Sequence, residues 1–263
     1  MAFSPLKKMM RSSQAAGLAV ALLLIAGCAS NIKTIAPSDA RSAVTVAADL
    51  VPLATLAPGI KQDMRYVSKH NFMGRLVAGY EAGVCWLSRV AAESLAAVQK
   101  ELAGQGLALK VYDCYRPQAA VDDFVRWGRD MADQKNKDMY YPRVPKSELF
   151  KRGYIAEKSG HSRASTVDMT LLVVDARRAS KWVRGPLADS IEVDMGTPFD
   201  LFDEQSHTDN AQQSPDVQHN RRWLRSLMQR NGWKNLPEEW WHYTLVGEPY
   251  SEQYLFFSVW CML

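Results

Sequence analysis

His161 and Asp168 sit in the run Ser-Gly-His-Ser-Arg-Ala-Ser-Thr-Val-Asp (159–168), and Glu239 and His242 sit in Glu-Trp-Trp-His (239–242). Two imidazoles and a carboxylate make a ligand set that a catalytic zinc accepts while leaving its fourth position to water. A second carboxylate three residues before a ligand is placed to take a proton from that water. The four residues imply a zinc hydrolase with one Zn2+ per chain, held by His161, Asp168 and His242, with Glu239 as the base. Each residue alone has a plainer role: a surface histidine, a turn cap, a solvated acid. His70, His207 and His219 lack a partner at ligand spacing, with His207 in the long loop still a candidate for lining the site, and Trp240, Trp241 and Tyr243 read as core packing. No His-Glu-x-x-His, Gly-x-Ser-x-Gly or P-loop pattern occurs, so zincin, serine hydrolase and NTPase readings lack their usual signatures.

The elements that must carry these groups follow from periodicity and punctuation. A helix is expected from Ser88, with Val90, Leu95 and Val98 on one face, stopping at Gly104 or Gly106. Residues 107–115 alternate and are rich in strand formers, reading as a strand that runs to Arg116-Pro117. A second helix carries Val121, Phe124 and Val125. Residues 133–150 are polar with two prolines and read as a surface loop; 175–190 form a charged excursion; 196–218 read as a long irregular loop. Thr166–Val174 is an expected strand bearing Asp168, and Trp240–Val246 another, with His242 near its start. Asp216 is the expected cap of a helix carrying Trp223, Leu224 and Leu227 and ending at Asn231-Gly232. Helices and strands do not alternate regularly. This favours an α+β single domain with a central antiparallel sheet flanked by helices.

The first 27 residues read as an export signal, with Lys7, Lys8 and Arg11 before an apolar run from Ala15 to Ala26. That run is shorter than the roughly 20 apolar residues of a membrane span. Leu24-Ile-Ala-Gly-Cys28 resembles a bacterial lipobox, which implies a lipid anchor on Cys28 and, with Ala29 following, a periplasmic protein held at the outer membrane. A cleaved leader with a chance cysteine is the alternative. Residues 28–50 read as a tether and 51–263 as the domain. Losing the leader removes three basic residues and no acid, so the net charge of +4 falls to about +1. No basic stripe with interleaved aromatics marks a nucleic-acid partner. Cys85, Cys114 and Cys261 admit one disulfide or three buried thiols; Cys85–Cys114 is preferred because the two flank the same expected helix.

The motifs together resemble the D-alanyl-D-alanine dipeptidases of the VanX type, whose metal site is shared with D,D-carboxypeptidases and Hedgehog domains. The likeness lies in Ser159-x-His161 with Asp168, in Glu239-Trp-Trp-His242-Tyr, and in Tyr112-Asp113-x-Tyr115-Arg116-Pro117. It continues through Met195-Gly-Thr-Pro-Phe-Asp200, Asp203-Glu-x-Ser-His207, Asn71-Phe-x-Gly74 and Gly79-Tyr-Glu81. The resemblance implies hydrolysis of D-Ala-D-Ala or close relatives, with Arg116 stabilising the oxyanion. It also implies that Asp200 and Tyr66 grip the substrate ammonium, and it sets Ser159 where a hydroxyl meets substrate. A carboxypeptidase or endopeptidase acting on peptidoglycan stem peptides, or a non-catalytic zinc-binding wall module, are the alternatives. The chain departs from the family where Gly is usual at 164 and Ala at 166: here they are Ala164 and Thr166. A positive φ at 164 would strain alanine. The 175–190 excursion also looks longer than the family norm.

Overall fold

The computed structural model describes residues 46–258; the expected leader, Cys28 and Cys261 lie outside them. Seven strands are described: β1 (Leu50–Pro52), β2 (Lys61–Gln62), β3 (Trp86–Ser88), β4 (Leu107–Asp113), β5 (Thr166–Val173), β6 (Trp233–Asn235) and β7 (His242–Leu245). Three of the described helices exceed two turns: α1 (Arg89–Gln105), α2 (Gln118–Arg129) and α3 (Pro215–Arg230). The main sheet runs β2-β4-β5-β7-β6 and is antiparallel except for the parallel β2–β4 pair at its edge; β1 and β3 form a separate antiparallel pair. The fold is α+β, as expected.

Strands β4 and β5 are buried along nearly their whole length. Neighbouring residues point to opposite faces, so both faces of the sheet are covered there. Helix α1 buries Ala91, Leu95, Val98 and Leu102, steps of four, three and four that track one helical face. Val90 is one residue out of that phase and is exposed, which corrects the sequence reading. The helix ends at Gly106 (φ 77°), where a Cβ would come within 2.6 Å of the Asp175 carbonyl oxygen, and the chain turns directly into β4.

Further differences have physical causes. Ser214, not Asp216, caps α3: its Oγ accepts from Val217 N, and Pro215 fills the first turn. Strand β6 has three residues, too few to show a periodicity in the sequence. Trp240 and Trp241 precede β7 instead of opening it. The polar 133–150 stretch buries Tyr140, Tyr141, Val144 and Leu149 around two single turns, Lys137–Tyr140 and Lys146–Glu148. Lys146 is buried with them, donating to Asp130 O over the Trp127 ring. The excursion at 175–190 holds one helical turn, Ala176–Ala179, and packs Ala179 and Val183 into the core. The expected tether reaches too far: Val46 and Leu50 pack against Trp86, Tyr115 and Leu255. Cys85 and Cys114 are bonded, with Cα atoms 5.3 Å apart.

Candidate active site

Strand register lines up the acidic and basic groups. Asp168 is opposite His242 across β5–β7 and opposite Asp113 across β4–β5, so one row crosses three strands. His161 arrives from the 3-10 turn Gly160–Arg163 that immediately precedes β5. Ser159 opens this turn by accepting from His161 N (3.2 Å), and Ala164 closes it in the left-handed region (φ 57°). The strain anticipated at 164 is therefore present.

His161, Asp168 and His242 offer ligand atoms that all lie within 4.8 Å of one another. Asp168 Oδ1 is 3.2 Å from His161 Nε2 and 3.0 Å from His242 Nδ1, and the two rings are nearly perpendicular. His161 Nδ1 lies 2.8 Å from the Cys114 carbonyl oxygen. Donation to that carbonyl fixes the tautomer and turns the Nε2 lone pair toward Asp168. His161 Nε2 and Asp168 Oδ1 are both buried without a hydrogen-bond partner among the described residues. Two orphaned acceptors facing each other in a buried site cost several kcal/mol unless a cation joins them. The donor set fits a divalent zinc. Burial opposes ionisation of Asp168, but the two imidazoles hold its carboxyl well below the usual carboxylate range.

Glu239 lies in the turn between β6 and β7, with Oε2 3.5 Å from His242 Nδ1. Asn235 braces that turn by donating to the backbone oxygens of both Glu239 and His242 (3.0 Å each). Burial pushes the Glu239 carboxyl up to about 7, with His242 opposing and Asp168 adding to the rise. A carboxyl near neutrality suits both acceptance and return of a proton.

Arg116 stands on the other side of Asp168, 3.8 Å away. Asp113 holds it, accepting from Nε at 2.9 Å and lying 2.8 Å from Nη2; Arg116 Nη1 reaches Ser159 Oγ at 3.4 Å. Asp113 lies in the Tyr112-Asp113-x-Tyr115-Arg116-Pro117 run, where residue type alone assigns it no role. It is fully buried, accepts from Tyr80 OH at 2.5 Å and sits 3.5 Å from His161 Nδ1. Its spacing of three residues before an arginine was the available signal.

Asp200 has positive φ (63°), a conformation costly for a side chain with a Cβ and common at functional sites. Tyr66 OH donates to its Oδ2 at 2.9 Å. Burial first, then repulsion from Asp168, pushes its carboxyl well above the ordinary range. Arg221, buried, secures this segment by donating to the carbonyls of Met195, Gln205 and His207. Tyr66, Arg116, Ser159, His161, Asp168, Asp200, Glu239 and His242 all line one cavity of about 200 Å³. None of His70, His207 and His219 lines it, and Trp240, Trp241 and Tyr243 are core residues, as expected.

A family model described as D-ala-D-ala dipeptidase matches residues 46–260. The chain is 39% identical over 202 residues to a D-alanyl-D-alanine dipeptidase of Enterococcus faecalis, covering 76% of this chain and 93% of that protein. It is 37% identical over 207 residues to one from Enterococcus faecium, covering 79% and 96%. A third, from Streptomyces coelicolor, is 38% identical over 204 residues, covering 78% and 95%.

Proposed function

The chain belongs to the D-Ala-D-Ala dipeptidase family of peptidases, and we propose that it hydrolyses D-Ala-D-Ala, or a closely related dipeptide, with zinc. The observation that carries this reading is the His161–Asp168–His242 cluster, half-buried at His242 and buried at the two orphaned atoms of His161 and Asp168. Those three side chains would hold the ion. When bound, zinc supplies Lewis acidity and makes water a nucleophile at neutral pH.

The chain's own groups do the rest. Glu239 takes the proton from the attacking water and returns it to the leaving amine nitrogen. Arg116, kept in place by Asp113, sets a fixed charge against the oxyanion that develops on the peptide carbonyl. Asp200, oriented by the Tyr66 hydroxyl, accepts the substrate ammonium, whose charge favours the ionised carboxylate. Ser159 adds a hydroxyl at the wall. A cavity of about 200 Å³ is below the roughly 300 Å³ at which pockets for drug-sized ligands begin, which favours a dipeptide over a stem peptide.

The test pairs metal analysis with turnover of D-Ala-D-Ala and of a pentapeptide ending in the same dipeptide. We expect one zinc per chain, hydrolysis of the dipeptide, loss of activity with chelator and recovery with zinc. Cleavage of the pentapeptide alone would make the enzyme a carboxypeptidase. Bound metal with no cleavage of either would make it a binding module.

Export to the periplasm and anchoring to the outer membrane through Cys28 belong to the same proposal. They are supported by the leader pattern alone, which precedes the family match at residue 46.

A further inference from the structure

A free dipeptide presents two charges at neutral pH, an ammonium and a carboxylate. The preceding reading, on which this inference rests, gives the ammonium to Asp200 and leaves the carboxylate without a partner. Arg116 and Lys158 are the lysine and arginine side chains among the cavity-lining residues. Arg116 is already committed: Asp113 takes its Nε and Nη2, and Asp168 lies 3.8 Å from it.

Lys158 is different. It forms no ion pair among the described residues, although its charged neighbours do: Glu157 pairs with Arg129 and Arg163 with Glu248, each at 2.7 Å. Its ammonium lies 5.1 Å from the Tyr254 ring, a weak contact that a carboxylate would outcompete. The backbone beneath it is fixed. Ile155 is buried, Glu157 O accepts from Gln118 Nε2, and Ser159 is tied to His161 N and Arg116. A flexible four-carbon stem on a rigid wall brings a point charge to the cavity without requiring one exact geometry.

We propose that Lys158 binds the C-terminal carboxylate of the dipeptide and so makes the enzyme select substrates with a free C-terminus. The lysine is exposed, so its contribution is moderate and screened by salt.

The experiment compares D-Ala-D-Ala with D-alanyl-D-alaninamide on the zinc-loaded full chain, Lys158→Gln and Lys158→Arg. The wild type should prefer the free acid, less so as salt rises. Lys158→Gln should raise KM for the acid about tenfold, with kcat and zinc content unchanged and little effect on the amide. Lys158→Arg should restore most of the preference. An unchanged KM for the acid in Lys158→Gln, or an equal loss on both substrates, would overturn the assignment. A zinc-loaded wild type that cleaves neither substrate overturns the dipeptidase reading itself, and this assignment falls with it.

Discussion

Glu239 sits where burial works against its charge, 3.5 Å from His242 of the candidate metal site, and this sets what its removal should do. Glu239→Ala should keep zinc, because the three ligand side chains remain, and should lose at least about a hundredfold in kcat, the low end for loss of a general base. Near-normal single-turnover rates would take Glu239 out of the mechanism. Ala164 tests a different balance. Its left-handed backbone costs about 1 kcal/mol, and its buried methyl contributes about 0.8 kcal/mol. Ala164→Gly should therefore unfold within about 1 kcal/mol of wild type, whereas Ala164→Val, β-branched and crowded at that φ, should lose at least about 2 kcal/mol. Denaturant melts of the two variants read this contrast directly. The residue types of the cluster were legible in the sequence because ligand chemistry is a property of side chains. The role of Asp113 was not, because only its burial beside Arg116 and His161 distinguishes it from a surface acid.

Among the elements, the disulfide links the start of β3 to the end of β4, next to the carbonyl that orients His161. It closes a loop of sequence separation 29, for which chain entropy gives about 3–4 kcal/mol of stabilisation. Cys85→Ser with Cys114→Ser should lower the unfolding free energy by about that amount and weaken zinc retention; a melt identical to wild type would contradict it. Sequence periodicity located α1, α2, α3, β4 and β5, which are long enough to show it. It put Val90 on the wrong face of α1 and missed β6, where a phase error of one residue or a length of three leaves nothing for a pattern to resolve.

For the molecule as a whole, the net charge of +4 would fall to about +1 if the proposed leader is removed. The wild type should incorporate labelled fatty acid and Cys28→Ala should not; a wild type without label would leave an ordinary cleaved signal as the explanation. The sequence by itself determined which chemistry was available: two imidazoles, three acids and an arginine in recognisable runs, in a chain able to form an α+β domain. Only the tertiary structure decided how those groups act. Strand register sets Asp168 opposite both Asp113 and His242, the Ala164 turn swings His161 onto the same row, and burial moves Glu239 and Asp200 upward while the imidazoles keep Asp168 ionised. Distance and desolvation depend on what is packed around a group, and no local stretch of chain contains that information.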